Sequence, residues 1–180
     1  MTDAPPRRVL CLCGSLRRVS ANRAALQAAR ELAPASLRLE LYGELGGLPW
    51  FSPDVEAGPL PQSVVELRVA VGRADALLIA CPEYAHGIPG AFKNLLDWLV
   101  GALEFPGKPV LLLNTSARAS HHAQEVLLEV LQTMSARLLS AESLPVLLPG
   151  RGCTARAVLA DTDRCRELRA AIGVLAAGLA

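Results

Sequence analysis

The chain is poor in aromatic residues: three Phe, two Trp and two Tyr, or 4% of 180 positions. A surface that stacks nucleobases interleaves aromatic side chains with clustered basic ones. Basic clusters are missing as well. Lys and Arg number 18 against 17 Asp and Glu, both signs are scattered, and the net charge is +1. A nucleic-acid partner is therefore not expected. Long apolar runs are absent too: none approaches the roughly 20 residues of a membrane span. The opening segment MTDAPPRRVL lacks the charged-then-apolar order of a signal peptide. These absences predict a cytoplasmic protein with no membrane partner.

Metal and disulfide signals are also weak. The five cysteines are Cys11, Cys13, Cys81, Cys153 and Cys165, an odd number at spacings that match no zinc pattern. They are expected to be buried, reduced thiols that pack as small apolar residues. His86 is read as a loop histidine near the pocket mouth rather than a catalytic group, because no acidic or nucleophilic partner stands at a matching position, and His121 and His122 as solvent-facing or packing residues at a helix start rather than a metal pair. Two phosphate-binding patterns are missing. Without G-x-x-x-x-G-K-[ST], hydrolysis of ATP or GTP is disfavoured. Without G-x-G-x-x-G, a dinucleotide-binding Rossmann site is disfavoured, and Glu40 at the end of the second strand reads as a solvated carboxylate.

What the chain does have is apolar bulk, 52% hydrophobic against 19% charged residues, enough for a sizeable core in one domain spanning 1–180. RRVLCLC, DALLIAC and KPVLLLN are near-continuous apolar runs of the kind that strands buried on both faces require. LRLELY alternates, and ESLPVLLPG reads as a short strand broken by Pro145. Helical stripes lie between them: Val64, Leu67, Val71 and Ala74; Phe92, Leu95, Leu96 and Leu99; and Val126, Leu127, Val130, Leu131 and Met134 in a helix running to Leu139. A first helix runs from Ser20 or Ala21 to about Leu32, and a last one is capped by Asp161 or Thr162. Alternating strands and helices predict an α/β fold: an open five-stranded parallel sheet of flavodoxin-like order 2-1-3-4-5 with helices on both faces.

In such a sheet ligands bind beyond the carboxyl ends of the strands, where the strand order reverses. That rule selects the loops GSLRRVSAN, CPEYAHGIPGAFKN and NTSARASHH. In the first, Gly14 permits close approach, Ser15, Ser20 and Asn22 supply donors, Arg17 supplies a charged fork, and a helix N-terminus stands behind them. Together these groups suit a dianionic phosphate monoester, and a mononucleotide with one terminal phosphate fits best. In the second, Pro82, Gly87, Pro89 and Gly90 shape a rigid turn that can lay backbone along the edge of a flat heterocycle. Tyr84 is placed to pack on a ring and Glu83 to orient the loop.

GSLRRVSAN resembles the G-S-L-R-x-x-S-x-N signature of the NADPH-dependent FMN reductase family. PEYAHGIPGAFKNLLDW resembles its second signature, P-E-Y-N-x-x-x-P-G-x-L-K-N-x-x-D-W. The likeness runs from about Val9 to Leu148. It implies FMN with its phosphate on Ser15, Arg17, Ser20, Ala21 and Asn22, and its isoalloxazine on Pro82, Glu83, Tyr84, Ala85, His86 and Gly87, with Thr115, Ser116 and Arg118 at the ring edge. It assigns Lys93, Asn94, Asp97 and Trp98 to shaping the loop and a subunit contact. It further implies a homodimer or homotetramer and ping-pong hydride transfer from NADPH or NADH to a small-molecule acceptor: a quinone, an azo dye, a metal oxyanion or free flavin. Catalytic side chains are not expected, since the flavin carries the chemistry. The chain departs from the family in having Ala85 where Asn is common, and in a third loop without glycine. Those departures leave room for a non-catalytic FMN carrier or sensor of the same fold, and a flavin-free Rossmann enzyme is the third alternative.

Overall fold

The computed structural model describes residues 5–116, 121–150 and 152–180. Strand β1, Arg7–Cys13, is an interior strand of the sheet. The two-residue period of a strand sends Val9, Cys11 and Cys13 to one face and Leu10 and Leu12 to the other, and both faces are buried. Parallel neighbours flank it: β2, Leu37–Leu41, on one side and β3, Ala76–Ala80, on the other. Next to β3 lies β4, Pro109–Ser116.

One face is covered by α1, Ala21–Leu32, whose Ala24, Ala25, Ala28 and Ala29 let it pack close to the sheet, together with α6, Ala155–Leu159, and α7, Thr162–Ala177. Asp161 caps α7 by accepting the N–H groups of Asp163 and Arg164. The other face is covered by α3, Gln62–Arg73, α4, Gly90–Val100, and α5, His122–Thr133. The connection after β2 holds a short 3-10 turn, Leu45–Gly47, and the single-turn helix α2, Pro53–Glu56. Asn94 of α4 fastens that connection, donating to the Pro49 carbonyl (2.9 Å) and accepting the Phe51 N–H (2.8 Å), while Trp98 Nε1 donates to the same Pro49 carbonyl (2.8 Å).

The order is β2-β1-β3-β4-β5, the flavodoxin-like one, with the fifth place shared by two segments. β5, Arg137–Leu138, pairs with the start of β4, and β6, Leu144–Leu148, pairs with its end. The helix expected to run to Leu139 stops at Thr133. Ser135 takes a left-handed conformation (φ 63°) and the Ala136 N–H returns to the Leu131 carbonyl (2.9 Å), a helix-ending turn that frees the chain for β5. Pro145 does not break β6, which lies at the sheet edge where a missing N–H is tolerated. The expected stripes of α3 and α4 are buried, whereas Val126 of α5 is exposed and the buried face there runs through Ala123, Gln124, Leu127 and Leu131.

Candidate functional site

The carboxyl ends of β1, β3 and β4 open into a cavity of about 720 Å³, at the reversal of strand order. Its first wall is the loop after β1. Gly14 crosses directly over the end of β3: its N–H donates to the Ala80 carbonyl (2.9 Å), and a Cβ at this position would lie 2.5 Å from Cys81 Sγ. The chain then folds on its own hydroxyls. Ser15 Oγ accepts the Arg17 N–H (3.3 Å), and Ser20 Oγ caps α1 by accepting the Arg23 N–H (3.5 Å). Both serines are buried, and as acceptors in these bonds they keep their hydroxyl hydrogens for another partner.

Asn22 is also buried, and its Oδ1 accepts from Thr115 Oγ1 at the end of β4 (2.9 Å). That bond occupies the carbonyl end of the amide and leaves the NH2 end as the donor. The first turn of α1 has no acidic side chain of its own, so the positive end of its dipole has no carboxylate of its own to offset it. Arg17 lines the same cavity from the exposed part of the loop.

The second wall is the loop after β3. Tyr84 and Gly87 exchange two backbone hydrogen bonds (3.0 and 2.9 Å), closing a tight turn in which Ala85 (φ 49°) and His86 (φ 59°) are both left-handed. Two positive φ angles define a type I′ turn, which ordinarily selects Asn, Asp or Gly. The turn carries Ala85 and Gly87 away from the cavity lining, whereas Pro82, Glu83, Tyr84 and His86 face it. Gly87 itself is not left-handed, so the conformational freedom is required one and two residues earlier than the glycine.

Glu83 is the anchor of this loop. Its Oε2 accepts the Ala123 N–H at the start of α5 (3.0 Å), which also places a carboxylate at the positive end of that helix. Its Oε1 lies 3.3 Å from His86 Nδ1. His86 therefore does have an acidic partner, contrary to the sequence reading, because the tight turn folds position 86 back on position 83. Gln124 adds a second tie, its Nε2 donating to the Cys81 carbonyl (3.1 Å), while its buried Oε1 has no partner among the described residues.

Eleven of the fourteen residues assigned from the sequence line one cavity: Ser15, Arg17, Ser20, Ala21, Asn22, Pro82, Glu83, Tyr84, His86, Thr115 and Ser116. Arg118 lies outside the described residues. The sequence reading missed Cys81 and Gln124. Cys81 was read as a core residue, and Gln124 as one more polar residue in a helix, though a polar residue on the buried face was a usable signal. Desolvation pushes the thiols of Cys11, Cys13 and Cys81 up, that of Cys11 to about 12, so they are neutral packing groups rather than thiolates. All five cysteines are free and buried.

A parallel α/β sheet with an anion-ready helix terminus and a rigid loop at its switch point defines the class of flavodoxin-like nucleotide-binding proteins. The sequence profile of the NADPH-dependent FMN reductases matches residues 7–146. The chain belongs to that family of oxidoreductases. It is 40% identical over 128 residues to an NAD(P)H-dependent FMN reductase of Pseudomonas aeruginosa, covering 67% of this chain and 69% of that protein. It is 33% identical over 129 residues to a quinone reductase of Escherichia coli K12, again 67% and 69% of the two chains. Among solved structures, the flavoenzyme NAD(P)H:(acceptor) oxidoreductase of Paracoccus denitrificans superposes with a TM-score of 0.73 at 26% identity, over 93% of this chain and 96% of that one.

Proposed function

We propose that the cavity holds FMN and that the chain is an NAD(P)H-dependent reductase of a small acceptor of the quinone type. The observation that carries this reading is the donor set at the start of α1: two buried hydroxyls, an amide oriented by Thr115, Arg17 and an uncompensated helix N-terminus, all facing one cavity. Such a set matches a terminal phosphate with two negative charges. Bound FMN supplies the capacity to take up and release a hydride equivalent.

The residues of the chain bind, orient and exclude water. Ser15, Ser20 and Asn22 donate to the phosphate, and Arg17 neutralises it from the open side. Gly14 lets the loop pass low over Cys81, so that the ligand lies against the strand ends. Glu83 locks the second loop to α5, so that this loop, with Tyr84 half exposed on it, would hold the flavin ring. His86, held at Nδ1 by Glu83, stands at the mouth of the cavity.

A single cavity serving donor and acceptor in turn implies ping-pong kinetics. Quinones, azo compounds, metal oxyanions and free flavin are the acceptor classes to compare. Trp50, Val100 and Leu103 are exposed apolar side chains on and beside α4, where a second copy would cover them, in keeping with a homodimer or homotetramer. No helix of the described residues is long and apolar enough to cross a membrane. The reading places the enzyme in the cytoplasm as a single domain.

The test is an anaerobic absorbance titration of the FMN-loaded protein. Bleaching by NADPH or NADH, followed by recovery on adding a benzoquinone, is the expected result. Flavin that binds but stays oxidised with both nucleotides would contradict the reductase reading.

A further inference from the structure

The chain has three histidines, and the fold brings all three to one rim of the cavity. His86 arrives from the loop after β3, and His121 and His122 from the start of α5. The rings of His86 and His122 meet edge to face with centroids 4.4 Å apart, and those of His121 and His122 lie 4.0 Å apart. One turn further along α5 stands Glu125. It is four residues from His121, the N-cap, and three from His122, so it stands about one helical turn from each. One ligating atom from each of His121, His122 and Glu125 falls within 4.8 Å of the other two.

We propose that His121, His122 and Glu125 form a site for a divalent transition-metal ion, with Zn2+ as its representative. Two imidazoles and one carboxylate are the donor set that zinc uses when it keeps a position open. The set is too rich in nitrogen for Ca2+ or Mg2+, which require oxygen donors. Ligand atoms around tetrahedral zinc are about 3.3 Å apart, given metal–nitrogen distances near 2.0 Å. The present separations, up to 4.8 Å, are within a side-chain movement of that distance, and His121 and Glu125 are exposed.

The scaffold beneath these residues is fixed, as a metal site needs. Glu83 Oε2 holds the Ala123 N–H, and Gln124 holds the Cys81 carbonyl, so the first turn of α5 is fastened to the segment after β3 at two residues between His122 and Glu125. Glu83 also holds His86 at Nδ1, which keeps that ring packed on His122. The adjacent pair alone gave no such reading in the sequence, because two neighbouring histidines supply two ligands and the third becomes visible only through the helix turn. An ion held here would present its open position at the mouth of the cavity, to water or to an oxygen-donor ligand. The proposal does not depend on what the cavity binds.

Isothermal titration of ZnCl2 into the protein with its flavin, in a non-chelating buffer, tests it. One saturable Zn2+ per chain is expected, lost in His122→Ala and weakened by about tenfold or more in Glu125→Gln. The near-isosteric Glu125→Gln keeps the test valid where His122→Ala does not fold, and the thermal midpoint without metal shows which variants are folded. Cu2+ in the same position should give an electron paramagnetic resonance spectrum with nitrogen coupling from two imidazoles. Absence of saturable uptake would overturn the proposal. So would uptake that persists in the folded double variant His122→Ala/Glu125→Gln, which would put the ion on other groups such as the cysteines.

Discussion

Thr115 Oγ1 donates to Asn22 Oδ1 across 2.9 Å, joining the end of β4 to the first turn of α1. The two residues are 93 positions apart in sequence, and both are buried. The bond settles which end of the Asn22 amide faces the cavity. Thr115 thus orients a donor of the proposed phosphate site, rather than standing at the edge of a ring.

Replacing Thr115 by Val keeps the shape and removes the hydroxyl, so the Asn22 amide is no longer held. A buried hydrogen bond of this kind is worth about 1 kcal/mol, which corresponds to a five- to tenfold loss of FMN affinity. Quenching of flavin fluorescence by the apoprotein measures it. Affinity equal to wild type would show that Asn22 is oriented by something other than Thr115.

Gly14→Ala is expected to destabilise the fold by about 1–3 kcal/mol, because the added methyl overlaps Cys81 Sγ in a packed interior. The double variant Gly14→Ala/Cys81→Ala should recover part of that loss, since the sulfur is the closest atom, at 2.5 Å, while Cys81 Cα and Cβ stay at 3.1 Å. Urea denaturation of the single and double variants checks both statements. Purely additive destabilisation would place the clash elsewhere.

Ala85 is held in the left-handed region (φ 49°) by the Tyr84–Gly87 turn. Such a conformation costs an alanine roughly 1 kcal/mol, which Asn or Gly avoids. Ala85→Asn is therefore expected to raise the melting temperature by roughly 2–4 °C. The family's common residue at this position then has a backbone reason that is separate from any contact with flavin. A lowered melting temperature would contradict the turn assignment.

Stability should fall as pH rises above about 9. Burial lifts the Cys11 thiol from 9.0 to about 12 and the Tyr42 hydroxyl from 10.0 to about 12. Each group keeps its proton in the folded chain and loses it in the unfolded one within that window. The unfolded state then binds fewer protons, so the free energy of unfolding decreases with pH, by up to about 1.4 kcal/mol per pH unit for each such group. Urea midpoints between pH 8 and pH 10.5 measure the slope, and Cys11→Ala should make it shallower. A midpoint independent of pH would contradict the burial of these protons.

That Ser15, Arg17, Ser20 and Asn22 share one cavity was legible because the grouping is local. Ser15, Arg17, Ser20 and Asn22 stand within eight positions of one another, next to a helix start that fixes their directions. The second loop was legible only in part. Nothing in Ala85-His86 announces two left-handed residues, since the usual Asn or Gly is missing, and without that turn the Glu83–His86 pair has no reason to form. Gln124, and the bond of Thr115 to Asn22, were hidden for another reason: they depend on β4 and α5 returning to the same corner. The split fifth strand was hidden because MSARLL is composed of residues that a helix accepts, and the turn at Ser135 depends on tertiary pairing with β4.

The central claim is that a phosphate dianion is held by the loop after β1. The most direct test compares FMN with riboflavin, which lacks only the phosphate, in fluorescence titrations of the apoprotein and of Arg17→Ala. Two or more charge-assisted hydrogen bonds predict that wild type binds FMN at least about a hundredfold more tightly than riboflavin. Arg17→Ala should narrow that gap by weakening FMN alone. Equal affinities for the two flavins in wild type, or a variant that weakens both alike, would contradict the phosphate assignment and with it the proposed placement of the cofactor.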